Sequence, residues 1–359
     1  MASGVRNLRP LSLEPRERFN VFSGDNGQGK TNLLEAIFVI ASLRSFRTAK
    51  LSELIAFGAE RATLGARVLK DELVRLYEVE LTQGGRKVTL DGKAMRPLAR
   101  YFGGFNVVVF TPEDLALPRA SPADRRRFLD RGVFNLRPDY LGTAQDYERV
   151  LKTRNTVLRQ AGDERLDRRL AEELLEVYDV QLAELGARVI ASRQAFLDVV
   201  RGELASAFAS ITRAGLTASA RYVVRSAAVT TDELIAQLQA SRIKDFATNA
   251  TQVGPHRDDV VFELDGRDAG TFASQGQLRA IMLAWKTAEL QVLGRAHGDL
   301  PILLLDDVSS ELDPQRNEFL FEHLATLAGQ CFITTTHPGH VLLRQHRADY
   351  RIAKGEILQ

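Results

Sequence analysis

The feature that most constrains this chain is the run Gly24-Asp25-Asn26-Gly27-Gln28-Gly29-Lys30-Thr31. It follows the apolar segment Phe19-Asn20-Val21-Phe22 and precedes Leu33, Leu34, Ile37, Phe38 and Ile40, which recur at helical spacing. Strand, glycine loop and helix in that order are the context a GxxxxGK[ST] phosphate-binding loop requires. Its glycines let backbone N–H groups close around phosphate oxygens at the positive end of a helix. Lys30 is then expected to reach the β and γ phosphates of ATP, and the Thr31 hydroxyl to bind Mg2+. Gly24 to Thr31, with Asn32 beside them, are the expected nucleotide contacts, and Lys30 is also a catalytic candidate.

Such a loop needs a carboxylate at the end of a neighbouring strand to hold the metal. Pro301-Ile302-Leu303-Leu304-Leu305 reads as a parallel strand buried on both faces, and it ends in Asp306-Asp307. Asp306 is the expected metal residue. Asp307 stands where a carboxylate orients or deprotonates an attacking water. A second buried strand, Cys331-Phe332-Ile333-Thr334, is followed by His337.

Around these strands the chain has three textures. Segments 62–69, 76–82 and 87–91 look like strands joined by turns, with Gly84-Gly85 and Asp91-Gly92 as turn signals. Asn106 to Phe110 reads as a buried strand running into a helix start at Thr111-Pro112-Glu113-Asp114. From about residue 121 the texture is helical, and Leu174, Tyr178, Leu182, Leu185, Val189, Phe196, Val200, Leu204, Phe208 and Ile211 form one stripe. A helix carrying that stripe spans ~60 Å at 1.5 Å per residue. It covers too few heptads for a long coiled-coil rod, so a lobe packed on itself is expected. Strand texture returns at 220–225 and 260–264, and a helix is expected at about 275–293. The division this implies is an ATPase domain at 1–120 and 244–359 with an inserted helical lobe at 121–243.

Composition sets the outer limits. With 359 residues, two domains are the ordinary expectation. No apolar run nears the ~20 residues that span a bilayer, and MASGVRNLRP has no signal-peptide core. The lone Cys331 makes no internal disulfide, which fits a reducing cytoplasm, the expected location. A net charge of +2 neither demands nor excludes nucleic acid, so any such site is a local patch or is assembled from two subunits.

Ser274-Gln275-Gly276-Gln277 stands before the 275–293 helix and 32 residues upstream of Asp306. Alone, the string caps a helix. At this spacing it resembles the signature of ABC-type ATPases, which contacts the γ-phosphate of ATP bound to the other subunit. Asp313 is similarly placed to the D-loop, although Asp313-Pro314 is also a good helix start. His337 resembles the switch histidine that senses the γ-phosphate. A loop and a signature that meet only across two copies imply an ATP-dependent homodimer.

Taken together, GDNGQGKTNLLEAIF, Gly254-Pro255-His256-Arg257-Asp258-Asp259, SQGQLRAIMLAWKTAEL and LLLDDVSSELD resemble the RecF family, in that family's order and over nearly the whole chain. The fold implied is α/β, an ABC/SMC-head-like P-loop ATPase domain with an inserted mostly α-helical lobe. The function implied is ATP-dependent binding of gapped or single-stranded DNA at junctions. With RecO and RecR such a protein helps load RecA in recombinational repair, replication and the SOS response. Hydrolysis is then a weak, DNA-stimulated switch. The alternative is another SMC/ABC-type head, such as a transporter ATPase subunit, whose loop and signature lie much closer together than the 250 residues here.

The segment 254–259 is the most discriminating element of the resemblance, and its residues either touch ligand or pin a loop. Arg6-Asn7 stands where the family's FRN element follows an N-terminal strand, which leaves the first strand open. Thr111-Pro112-Glu113-Asp114 occupies the place of the family's glutamine loop and leaves the metal's full ligand set open. For DNA, the densest basic runs are Arg125, Arg126 and Arg127, then Arg165, Arg168 and Arg169. The plain alternative is a solvated helix face paired with Asp124, Asp130, Glu164 and Asp167.

Overall fold

The computed structural model describes residues 1–96, 98, 101, 102, 104–212 and 215–358. The chain divides into two compact units, Met1–Ala116 with Met282–Gln359, and Leu117–Ile281.

The first unit opens with β1 (Ala2–Ser3), β2 (Phe19–Ser23) and α1 (Lys30–Ser42). β3 (Arg61–Lys70), β4 (Leu73–Thr82), β5 (Gly85–Leu90) and β6 (Lys93–Ala94) continue as a meander. They make an antiparallel sheet of order β1-β3-β4-β5-β6. β3 and β4 pair from Arg61↔Thr82 to Lys70↔Leu73, across a two-residue turn of Asp71 and Glu72, both at positive φ. That geometry usually recruits Asn or Gly, and the absence of either hid this turn in the sequence. β7 (Val107–Phe110) and α2 (Pro112–Leu115) follow. The short β1 is real, pairing Ala2 with Leu64 and Ser3 with Thr63.

The second unit holds α3 (Pro122–Leu136), α4 (Tyr140–Gly162), α5 (Arg168–Thr212), β8 (Ala218–Val223), α6 (Thr231–Ala240) and α7 (Arg242–Thr248). β9 (Asp259–Leu264), β10 (Arg267–Asp268), α8 (Ala269–Phe272) and the start of α9 (Gln275–His297) complete it. The 45-residue α5 packs along α4 and also touches α3, α6 and β8. Its stripe is therefore covered within the unit, as a lobe and not a free arm. Gly132 of α3 lies where a Cβ would come within 2.4 Å of the Phe196 ring, so only glycine permits this close α3–α5 crossing.

The expected boundary at 243/244 is corrected. β9 pairs antiparallel with β8 from Val223↔Asp259 to Ala218↔Leu264, and that ladder holds the segment after 244 in the second unit. The division falls inside α9, between Ile281 and Met282.

The first unit resumes with β11 (Ile302–Asp306), α10 (Pro314–Leu327), β12 (Cys331–Thr335), β13 (Arg347–Ala353) and β14 (Glu356–Leu358). Its main sheet runs β14-β13-β2-β12-β11-β7, parallel except at β14. Strands covered on both faces are apolar throughout, hence VVVF and ILLL. Phe22 stacks on Tyr350 at 4.9 Å and on Phe332 at 6.4 Å, tying β13, β2 and β12. Helix α1 is apolar nearly all round because both of its sides are covered. Leu33, Leu34 and Phe38 pack with Phe22, Leu304 and Tyr350, while Ala36, Val39 and Ile40 pack with Val5, Leu64 and Val79. A Phe22→Ala truncation in this core would cost about 3–5 kcal/mol.

Candidate functional site: a phosphate loop and its carboxylates

β2 and β12 run parallel in register from Phe19↔Cys331 to Ser23↔Thr335, and β11 pairs Asp306 with Thr334. The loop after β2 and the acids after β11 are thereby brought to the same end of the sheet, where the strands' carboxyl ends open. Gly24 has a φ of +155°, and a Cβ there would meet the Ile352 carbonyl oxygen at 2.2 Å. Gly29 caps α1 at a φ of 109°, in the left-handed region. A side chain is excluded at the first position by contact and is strained at the second by backbone conformation.

The buried Lys30 ammonium donates to the carbonyls of Gly24 at 2.6 Å and Asp25 at 2.9 Å, inside its own loop. Asn7 donates to the Gly27 carbonyl at 2.8 Å and accepts from Asn32 at 2.6 Å. Gln28 faces away from the loop's hollow: its side-chain oxygen accepts from Lys354 N–H at 2.6 Å, and its carbonyl from Gly355 N–H at 3.0 Å. Beneath the loop, fully buried Glu35 accepts two bonds from Arg6, at 2.6 and 2.9 Å, and one from Arg47 at 3.3 Å. Arg47 also donates to Asn32 at 2.7 Å. Gln28 was expected as a nucleotide contact and its side chain is a loop brace. Asn7, Glu35 and Arg47 were not foreseen as supports, because only tertiary folding brings them under the loop.

Asp306 is the hub. One carboxylate oxygen accepts from the Thr31 hydroxyl at 2.9 Å and from the Thr334 hydroxyl at 2.7 Å. Burial holds its pKa above the usual carboxylate value, against the lowering effect of the two hydroxyls. The negative fields of Glu113 and Asp307 push the same way. A buried acid whose ionisation is disfavoured by its neighbours is stabilised by a cation. Thr31 and Asp306 therefore fit a divalent ion, which they would hold at this end of the sheet.

Asp307 adopts a φ of 49°, and its N–H donates to the Thr334 carbonyl at 3.1 Å. One carboxylate oxygen of Asp307 is buried without a hydrogen-bond partner. A buried acceptor left open at the lip of a phosphate loop can receive a water proton. His337 is exposed, and its N–H donates to Thr335 Oγ1 at 3.2 Å while its Nδ1 accepts from Gly339 N–H at 3.1 Å. In the expected glutamine-loop place, Asp114 closes a capping box with Thr111 and faces Lys286 at 3.9 Å. Glu113 is exposed.

Within the second unit, Ser274 and Gln277 cap α9 reciprocally. Gln277 Oε1 accepts from Ser274 N–H at 2.8 Å, and Ser274 Oγ accepts from Gln277 N–H at 3.2 Å. Arg119 fixes the approach by donating to the carbonyls of Gly270 at 3.0 Å and Ala273 at 2.8 Å. Ser274 and Gln275 stay exposed at a braced helix N-terminus, with Gly276 half-buried between them and Gln277. In the first unit Asp313 caps α10 by accepting from Arg316 N–H at 3.1 Å and pairs with the Arg316 guanidinium.

The segment 254–259 pins a loop. Tyr147 and the Thr251 carbonyl hold the two nitrogens of His256 at 2.7 and 3.1 Å, and Arg257 donates twice to the same carbonyl. Asp258 accepts from Tyr222 at 2.9 Å and from Arg225 N–H at 3.0 Å. Asp259 takes both prongs of Arg125, at 2.9 and 2.6 Å, and Arg126 donates to the Asp258 carbonyl at 2.6 Å.

The basic runs are accordingly split. Arg125 and Arg126 are engaged inside the unit, with Asp259 and the Asp258 carbonyl. Arg127, Arg165, Arg168 and Arg169 lie on the surface beside Asp124, Asp163, Glu172 and Glu173. Arg168 also lies over the Phe246 ring.

Known proteins resemble this chain over nearly its whole length. The family described as RecF/RecN/SMC N terminal domain matches residues 1–355. The DNA replication and repair protein RecF of Geobacter sp. (strain M21) is 40% identical over 367 residues, covering 99% of this chain and 98% of that protein. RecF of Myxococcus xanthus (strain DK1622) is 42% identical, covering 92% of this chain and 88% of its own length. A solved structure described as the recombination mediator protein RecF-ATPrS in the RecFOR pathway matches with a TM-score of 0.89 at 31% identity, over 99% of this chain and 95% of that one. An Smc head bound to the C-winged helix domain of ScpA matches at 13% identity and a TM-score of 0.54, over 99% of this chain and 95% of that one, which shows the shared fold alone. The full-length RecF match displaces the transporter-subunit alternative. Among the described residues no helix is long and apolar enough to cross a membrane.

Proposed function

Because the chain belongs to the RecF family of DNA replication and repair proteins, an ABC/SMC-type ATPase group, we propose that it is an ATP-driven DNA clamp. Two copies close on ATP at gapped or single-stranded DNA near a junction, and slow, DNA-stimulated hydrolysis releases them. The observation that carries the reading is the Thr31–Asp306–Thr334 hub beside the open carboxylate oxygen of Asp307. Lys30 exchanges its two loop carbonyls for the β and γ phosphates. Thr31 and Asp306 hold Mg2+, which supplies charge neutralisation for those phosphates. Asp307 orients the water and accepts its proton, and His337 contacts the γ-phosphate from the strand end.

Ser274 supports the two-copy arrangement, since its cap leaves it exposed at a helix N-terminus, a ready anion site. Gln275, Gly276 and Gln277 shape that terminus, and Asp313 faces the same composite site. DNA lies against a face that two subunits concentrate, with Arg127, Arg165, Arg168 and Arg169 as contacts. A solved relative's description places it in the RecFOR pathway, so RecO and RecR are the proposed partners, with RecA loading the outcome.

Gel-shift titration of gapped, single-stranded and duplex DNA with and without ATP tests the clamp. Gapped DNA bound at least tenfold more tightly with ATP is expected. Equal affinity with and without nucleotide would remove the clamp.

A further inference from the structure

Four buried side-chain atoms without a hydrogen-bond partner fall within the short run from Asp307 to Asn317: Asp307 Oδ1, Ser309 Oγ, Arg316 Nε and Asn317 Oδ1. Buried polar atoms are almost always paired, so such a concentration singles out this segment. Ser309 and Asn317 are only 3% and 8% exposed.

Asn317 reaches another element through its side chain. Its amide nitrogen donates to the His340 carbonyl at 2.8 Å, joining the first turns of α10 to the turn Pro338–His340. That turn begins at His337, whose ring lies 5.5 Å from that of His340. It is also gripped from β13, where Arg347 donates to the carbonyls of Pro338, Val341 and Leu343 at 3.2, 2.7 and 3.1 Å. Helix α10 in turn begins at its cap, Asp313, four residues before Asn317 and so on the same helical face. One carboxamide thus bridges the backbone that carries His337 and the helix that Asp313 starts.

We propose that Asn317 is a positioning residue that couples the nucleotide state sensed at His337 to the subunit-facing segment at Asp313. This rests on the two-copy reading above and extends it. When His337 engages a γ-phosphate, the His340 carbonyl fixes Asn317, and α10 holds Asp313 in place to meet the partner. When the phosphate leaves, the turn relaxes and the Asn317 bond lets α10 follow it.

The test uses full-length protein carrying Asn317→Ala and, separately, Asn317→Asp, which keeps the shape but removes the donor. Thermal melting confirms that each folds. Nucleotide affinity of the monomer is read with a fluorescent ATP analogue, and dimer affinity by light scattering with ATP and with ADP. Expected are nucleotide affinity within about twofold of the parent and an ATP-to-ADP ratio of dimer affinities that falls at least tenfold. Dimerisation weakened equally in both nucleotides marks a structural defect and overturns the coupling, as does an unchanged ratio. Ser274→Arg serves as the control. If it dimerises with ATP like the parent, the two-copy reading fails. If it does not, while the Asn317 variants keep the parental ratio, only the coupling fails.

Discussion

Thr31 and Asp306, 275 residues apart in sequence, are joined by a 2.9 Å hydrogen bond from the threonine hydroxyl to the buried carboxylate. The bond fixes the distance between the helix that starts at the phosphate loop and the strand that ends in two acids. A divalent ion held by the two side chains would take over what the hydroxyl proton does in this arrangement. Asp306→Asn should therefore weaken ATP binding in the presence of Mg2+ by about 10–100-fold, the scale of losing a metal-site group. Binding measured in excess EDTA should change little. Equal losses with and without Mg2+ would mean that Asp306 supports the loop and not the ion.

Asn7 stands under the loop with two bonds, to the Gly27 carbonyl and to Asn32. Removing both should cost about 1–3 kcal/mol of loop order, at roughly 0.5–1.5 kcal/mol per bond. Calorimetric titration of Asn7→Ala with ATP is expected to show about tenfold weaker binding with a near-parental melting temperature. Parental affinity would show that the loop is held by its lysine and by the Gln28 contacts alone.

Arg125 separates a structural arginine from a DNA-facing one. Its side chain is 14% exposed and that of Asp259 is 11%, and the pair is two-pronged. Truncating one partner of such a pair costs about 3–5 kcal/mol because the other charge is left buried. Urea denaturation of Arg125→Ala should show that loss, whereas Arg169→Ala, at an exposed ion pair, should stay within about 0.5 kcal/mol. The opposite ranking would return Arg125 to the surface.

His256 gives the second unit an acid-sensitive stability. Burial lowers its pKa from 6.5 to about 4, the Thr251 carbonyl opposes this, and the nearby arginines reinforce it. Between those values the unfolded chain binds a proton that the folded chain refuses, so stability falls as pH drops from 6.5 towards 4 and is fully present above 6.5. The separation corresponds to about 3 kcal/mol at the low end of the window. Unfolding of His256→Gln, followed across that window, should show a flatter pH dependence than the parent. An unchanged slope would place the sensitivity elsewhere.

Much of this site was legible before the fold was known, because its chemistry is carried by short strings in fixed local contexts. The glycine loop, the double acid after an apolar strand and the serine cap of α9 each sit where local periodicity put them. What escaped is long-range. Thr334 could be seen only as the end of a strand, and its bond to Asp306 exists because β11 and β12 pair in register. Asn7 comes to the loop only through the fold of the first unit. The boundary near 243 failed for the same reason, since the β8–β9 ladder joins residues about forty apart. Arg125 and Arg126 belonged to a basic run by sequence, while their partners lie more than 130 residues away. Charge density along a helix does not report which faces are covered.

The central claim is that each ATP site is completed by a second copy, and mixing two inactive variants tests it most directly. Lys30→Ala removes the phosphate-loop cation and Ser274→Arg blocks the signature, so neither homodimer should hydrolyse ATP. In an equimolar mixture, only the mixed dimer contains a site with both residues intact, and random pairing makes it half of the dimers. Steady-state ATPase activity should then return to about a quarter of the parental rate, as two-fold symmetric sharing requires. A mixture as inactive as its two components, under conditions where mixed dimers are detected, would place both residues in one subunit's site and contradict the account.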